Sequence, residues 1–212
     1  EMINGDWSSD VCSSDLSREK STCPHLIKEK NITFHELKEK WTFYYLIPNR
    51  QNTPGKTWNN FLRKFYDFQS FEDYWAIINT IESASLLIKG CRYYIFKNNV
   101  QPLWEDENNN EGIEIYSEYP VNPKNHKKTQ KCEEDWIRLT IAILGNTFKY
   151  IDCINGVEFN CRGAIYKVGI WANKSATGEL LPQIKAELKK YLAGSEIKQQ
   201  AIVPESQRET KK

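Results

Sequence analysis

Residues 100–107 read VQPLWEDE and set an indole, Trp104, directly before three carboxylates, Glu105, Asp106 and Glu107. An indole is a flat apolar plate with one N–H donor, whereas a carboxylate is a solvated acceptor that resists burial. A second tryptophan, Trp58, stands in a Gly-Lys loop (PGKTW), and further along come Arg162 and the run from Lys167 to Trp171. Two tryptophans in separate loops can face each other across a slot. The chain carries seven Trp in 212 residues, above ordinary usage and spread along its length. Aromatic rings usually fill cores, but Trp at polar positions points to flat ligands or to partner anchors.

The bulk properties narrow what such residues can serve. At 212 residues the chain suffices for one domain with a real core. Its 40% apolar and 27% charged composition reads as soluble and globular. No apolar run approaches the roughly 20 residues of a membrane span, and the first residues lack the basic-then-apolar order of a secretory signal. The net charge of +1 argues against a broad electrostatic grip on nucleic acid but leaves room for a local pocket for one nucleotide. Six cysteines, with no C-x-x-C pair and no zinc spacing, read as reduced thiols in the cytoplasm, with the nucleus as a second compartment. A hairpin could bring Cys153 near Cys161, but a disulfide is not expected.

Elements able to position these residues follow from pattern. Residues 1–16, including GDWSSDVCSSDL, have no hydrophobic period and resemble a translated sequencing adapter. They are set aside as an assembly artefact or a polar tail. Removing their four acids (Glu1, Asp6, Asp10, Asp15) leaves a mildly basic remainder. Residues 17–34 read as a flexible segment, 35–204 as the folded domain and 205–212 as a polar tail. WTFYYLI (41–47) is aromatic and β-branched, hence a strand, and PNRQNTPGKTWNNF is a loop. SFEDYWAIINTIES is a helix with a capping-box-like start at Ser70 and Asp73. CRYYIFK and GIEIYSEY are strands, and NPKNHKKTQK is a basic loop. EEDWIRLTIAILG is a second helix with acids in its first turn and Gly145 as its cap. GVEFNCRG and IYKVGIWA form a hairpin. LLPQIKAELKKYLAG is a third helix closed by Gly194, and IKQQAIVP a last strand. This order predicts an α+β domain, an antiparallel sheet with helices on one face.

KTWNNFLRKF, SFEDYWAI, GCRYYIFKNNVQPLWEDE, WIRLTIAILG and NCRGAIYKVGIW, in this order, resemble the eukaryotic translation initiation factor 4E family of mRNA cap-binding proteins, over about residues 35–204. The resemblance implies a curved sheet with about three helices on its convex face. It implies that Trp58 and Trp104 sandwich 7-methylguanine. N7 methylation makes that purine cationic, so indole stacking gains a cation–π contribution. Glu105 would accept from the guanine N1 and N2 hydrogens, which adenine cannot offer in that pattern. Trp171 matches the residue that contacts the methyl group, or else is core. Arg162 and Lys167 match triphosphate contacts, with Lys211 or Lys212 as a further phosphate-binding lysine. Asp106 and Glu107 read as solvated loop charges.

The resemblance also implies a second surface. His35, Phe71, Trp75, Ile137, Ile141 and Leu144 match positions that bind a Tyr-x-x-x-x-Leu-apolar helix from the initiation scaffold 4G or from repressors, with Trp75 either a helix-in-groove anchor or core. The protein is then expected to be a monomer whose partners are capped mRNA and such a helix. Some positions depart from the family pattern. Arg138 and Asn146 replace acids, Glu36 replaces a proline, Glu114 replaces a phosphate-linked arginine, and Ile115 replaces a tryptophan. Arg138 and Asn146 motivate an alternative, a repressor-type paralogue. Trp41 and Trp58, both retained, favour the initiation-competent subclass. A nucleotide-cleaving enzyme needs a metal-binding carboxylate cluster or a nucleophile–base pair. The one acidic cluster, Glu105 to Glu107, is already explained, so no catalytic residue, metal ligand or cofactor is assigned.

Overall fold

A computed structural model describes residues 33–48, 58–121 and 126–203, and for residues 58, 59 and 126–129 only the backbone. The adapter-like stretch, most of the loop before Trp58 and the tail with Lys211 and Lys212 lie outside the described residues. Within them, seven strands form one antiparallel sheet in the order β2-β1-β3-β5-β6-β4-β7. The strands are β1 (Glu36–Leu46), β2 (Leu62–Ser70), β3 (Arg92–Lys97), β4 (Ile113–Pro120), β5 (Ile154–Cys161), β6 (Ile165–Ala172) and β7 (Lys198–Ala201). Three helices, α1 (Phe71–Thr80), α2 (His126–Leu144) and α3 (Leu180–Leu188), cover the convex face of the curved sheet. The expected fold class is what is observed.

Alternation along the strands builds two different faces. Trp41 and Phe43 of β1, Ile95 of β3, Val157 and Phe159 of β5 and Val168 and Ile170 of β6 meet Tyr74 and Ile77 of α1, Trp136, Leu139 and Ile143 of α2, and Ile184 and Leu188 of α3 in the main core. The intervening residues Tyr44, Leu46, Tyr94, Phe96 and Trp171 form a second cluster on the other face with Val100 and Ile202. Gly156 belongs to that face by necessity, because a Cβ there would stand 2.2 Å from the Phe96 ring.

Strand β2 has no counterpart among the sequence-predicted elements. It is an edge strand whose middle, Arg63 to Tyr66, is exposed, so no apolar period announces it. A register shift between Phe43–Tyr66 and Tyr44–Lys64 leaves Phe65 as the extra residue and breaks the alternation further. The helix after it starts as expected, with Ser70 Oγ accepting from the Asp73 amide at 3.1 Å.

Helix α2 differs from the expectation at both ends. It begins at His126, inside the stretch read as a basic loop, where Lys and Gln are good helix formers. Its acids therefore lie mid-helix and serve tertiary docking rather than the dipole. The Glu133 carboxylate accepts from the hydroxyls of Ser83 and Ser85, both at 2.7 Å, and holds the segment after α1. The buried Asp135 accepts from Tyr119 Oη at 2.8 Å and from the Ala193 amide at 2.7 Å, tying α2 to the sheet and to the chain after α3. At the other end the left-handed residue is Asn146 (φ 54°), and the Gly145 amide still makes the helical bond to Ile141 O at 2.9 Å. Gly194 likewise does not cap α3, which stops at Leu188. It lies against the backbone of Glu118, where a Cβ would meet the carbonyl oxygen at 2.8 Å. Cys91, Cys132, Cys153 and Cys161 are all buried and in no disulfide.

Candidate functional site

The turn carrying Trp104 and Glu105 is held by hydrogen bonds of its own side chains. The Asp106 carboxylate accepts from the amides of Gln101 (2.7 Å) and Asn108 (3.0 Å). The fully buried Asn109 donates to the carbonyls of Gln101 and Leu103, both at 2.7 Å. Asn155 at the start of β5 donates to Asn108 O and Asn109 Oδ1 at 2.7 and 2.9 Å, fastening the loop to the sheet. Asp106 is thus a brace and not the solvated loop charge its neighbours suggested. With the loop held through these groups, the Trp104 indole is left 37% exposed and the Glu105 side chain is exposed as well. Trp58 opens a one-turn helix, Trp58–Phe61, leading into β2. Leu62 and Lys64 of β2 and Gln101, Leu103 and Asp106 from the Trp104 loop line one cavity of about 540 Å³, with Tyr44, Asn98 and Asn99 completing its wall. The Trp104 loop and the strand that follows the Trp58 turn therefore border the same hollow on the helix-free face.

Trp171 lies on that face, buried in its aromatic cluster. It is 1% exposed, edge-on to Phe96 (5.4 Å, 75°) and to Tyr94 (6.2 Å, 87°). Its Nε1–H donates to Glu158 Oε2 at 2.9 Å. Glu158 opens a buried charge cluster that the sequence reading did not include. Asn160 donates to its Oε1 at 3.0 Å, and the Arg92 guanidinium is 3.8 Å away. Beside it Lys167 and Glu114, each 1% exposed, form an ion pair, and Gln200 donates to Glu114 Oε2 at 2.5 Å. The Lys167 ammonium stands 4.1 Å from the Tyr116 ring centroid. Lys167, expected beside Arg162 on an exposed face, is instead inside the sheet, because Glu114 and Glu158 give it partners there. The signal for this was a period of two. Glu158 and Asn160 alternate with Val157 and Phe159, so they share the face of Trp171.

The two carboxylates respond oppositely to that environment. Burial and the nearby Glu158 charge raise the Glu114 pKa to about 7 against the pull of Lys167. Burial also pushes Glu158 upward, but Lys167, Arg92 and the bond from Trp171 outweigh it and hold its pKa well below the usual carboxylate range. A raised carboxyl pKa stabilises the fold below its ordinary value of 4.5, and this contribution is lost as pH rises through about 7. A depressed one stabilises above the ordinary value and is lost in acid. Thermal melting of the wild type is therefore expected to weaken between about pH 5 and 8, and Glu114→Gln to flatten that slope. A slope unchanged by the substitution would remove Glu114 as its source.

Arg162 is exposed, in the β5–β6 turn rather than on the strand. Its amide donates to Ile165 O at 2.9 Å, and Gly163 takes the left-handed conformation (φ 88°) that closes the turn. Its charge is felt by Lys167, whose pKa is lowered by burial first, with Arg162 adding to the depression. Lys198 of β7 lies within the same electrostatic neighbourhood and pairs with Glu118 at 2.5 Å, a cation the sequence reading passed over.

On the opposite side, α1 and α2 carry the second surface. Trp75 is 39% exposed, its ring centroid 5.2 Å from that of Tyr74. Phe71, Ile137 and Ile141 are half-buried, and Leu144 is buried in the core. The exposed His35 places Nδ1 2.6 Å from Glu72 Oε1, and its carbonyl accepts from the Phe71 amide at 3.0 Å. Arg138 stands on the same stretch of α2, its guanidinium 3.4 Å from Asp135.

A single curved antiparallel sheet, with helices behind it and a hollow beside the Trp104 loop in front, defines a binding module. A family model described as Eukaryotic initiation factor 4E matches residues 36–211. The chain belongs to that family. It is 32% identical over 187 residues to eukaryotic translation initiation factor 4E-3 of Caenorhabditis elegans, covering 88% of this chain and 69% of the relative. To the human eukaryotic translation initiation factor 4E it is 27% identical over 180 residues, covering 84% and 76%. Among solved structures, the Ascaris suum factor 4E-3 with an m7G cap superposes with a TM-score of 0.70 at 30% identity, covering 81% of this chain and 93% of that one. The C. elegans factor 4E-3 in complex with the 4E-binding protein Mextli gives 0.71 at 31% identity, covering 80% and 94%.

Proposed function

We propose that this protein binds the 7-methylguanosine cap of mRNA on the concave face and brings it to the translation machinery through a helix docked on α1 and α2. The observation that carries the reading is the braced loop presenting Trp104 and Glu105 beside a hollow also bordered by β2, the strand that directly follows the Trp58 turn. Trp58 and Trp104 stack on the two faces of the cationic base, each face worth about 1–3 kcal/mol. Glu105 accepts from the Watson–Crick edge, and Trp171 closes the floor under the methyl group. Arg162 meets the phosphate chain, with Lys211 or Lys212 of the tail as a further contact. His35, Phe71, Trp75, Ile137 and Ile141 receive the partner helix, and Leu144 supports them from the core. The relatives are initiation factors, and a solved relative carries a 4E-binding protein on this fold. We assign no catalysis, and we place the protein in the cytoplasm as a monomer.

Tryptophan fluorescence titrated with 7-methyl-GTP and with GTP tests the base site. Quenching at far lower concentration by the methylated nucleotide supports it, and equal quenching by both defeats methyl recognition. Glu105→Ala is expected to weaken 7-methyl-GTP by about 10- to 100-fold, the loss of a charge-assisted pair of hydrogen bonds. It is also expected to erase the preference over 7-methyl-ITP, which lacks the 2-amino donor. A preference that survives the substitution would assign guanine reading elsewhere.

A repressor-type role is the second reading, and Arg138 is what favours it. Its half-exposed guanidinium puts positive charge beside Ile137 and Ile141. A scaffold peptide with a basic residue facing that point is then disfavoured, and one with an acidic residue favoured. Binding of the two peptides to the same protein separates the readings.

A further inference from the structure

Resting on the cap-binding reading, the buried charge cluster behind Trp171 bears on which nucleotides the site prefers. Lys167 is the one lysine of the described residues that is fully buried on this face, and its ammonium is committed to groups within the sheet. Glu114 pairs with it, the Tyr116 ring lies 4.1 Å away, and Glu158 attracts it from β5. To reach a phosphate it would have to leave a buried carboxylate uncompensated, which is strongly unfavourable. Arg92, Lys167, Glu114 and Glu158 together carry no net charge when all are ionised.

We propose that Glu114 is a specificity residue of the cap site, which holds Lys167 inside the sheet, withholds it from the phosphate chain and so limits discrimination between 7-methylguanosine mono- and triphosphates. The carboxylate also lies on the face over which the phosphates would pass, between Gln200 of β7 and Lys167 of β6. It therefore acts twice, by occupying a cation and by adding negative charge beneath an anionic ligand. Recognition then rests on the base, with Arg162 as the exposed cation of the β5–β6 turn and Lys198 partly committed to Glu118.

The test compares 7-methyl-GMP with 7-methyl-GTP by fluorescence titration of the full chain at about pH 8, where Glu114 is ionised. Glu114→Gln turns the cluster net positive and is expected to raise the triphosphate-to-monophosphate affinity ratio about tenfold, leaving 7-methyl-GMP nearly unchanged. Glu114→Met with Lys167→Met, which replaces the buried pair by apolar side chains of similar length, is expected to keep the wild-type ratio. Circular dichroism melts establish that both variants fold. A ratio unmoved by Glu114→Gln overturns the proposal, as does a ratio that drops in the double variant, because Lys167 would then be a phosphate ligand in the wild type. If 7-methyl-GMP binds with those ratios, only the role of Glu114 fails. If neither nucleotide quenches the wild type, the cap reading fails and this role with it.

Discussion

Trp104→Ala is expected to abolish retention of the protein on immobilised 7-methyl-GTP. The indole supplies one of the two faces of the stack, about 1–3 kcal/mol by analogy with single-strand binders. The methylated base adds a cation–π contribution of about 0.5–2 kcal/mol that ordinary stacking lacks. At 1.4 kcal/mol per tenfold, the two together amount to a loss of roughly 10- to 4000-fold. The fold should survive, because the loop is held by Asp106, Asn109 and Asn155 and not by the indole, which is more than a third exposed. A melting temperature within a few degrees of wild type, together with lost retention, is the expected pair of results. Retention that persists would place the stacking face elsewhere.

Trp75→Ala is expected to leave cap retention intact and to weaken a Tyr-x-x-x-x-Leu-apolar peptide by about 30-fold or more. Aromatic anchors at helix-in-groove interfaces typically carry about 2 kcal/mol or more on truncation. Trp75 lies on α1, on the side of the sheet away from Trp104, and its 39% exposure leaves a broad face for a partner. Phe71, Ile137 and Ile141 extend that face, while Leu144 lies beneath it. Peptide titration by fluorescence anisotropy, run beside the resin assay on the same preparation, reads both sites at once. Loss of cap binding as well would mean that the ring is structural, since Tyr74 beside it packs directly into the core.

The parts of the site legible in the sequence are those whose partners are close along the chain. Trp104 and Glu105 are adjacent, and the Pro, Asn and acidic residues around them mark a loop. The helix from Phe71 was legible because Ser70 caps it locally and its apolar residues repeat at helical spacing. What stayed hidden depends on pairing across the sheet. Lys167 looks like a surface cation until β4 and β5 bring Glu114 and Glu158 beside it from about fifty and nine residues earlier in the chain. Asp106 looks like a neighbour of Glu105 until its carboxylate is seen bonded to two loop amides. Strand β2 escaped because an edge strand with a bulge needs no apolar face to form, only a neighbour with free backbone groups. The start of α2 was misplaced because its mid-helix acids imitate the first-turn acids that favour a helix dipole.

Retention on immobilised 7-methyl-GTP, followed by elution with free nucleotide, tests cap recognition most directly. The braced loop that presents Trp104 and Glu105 predicts that the protein is retained, that 7-methyl-GTP elutes it and that GTP at the same concentration does not. Passage through the resin without retention would contradict cap binding. Equal elution by both nucleotides would contradict reading of the methylated base.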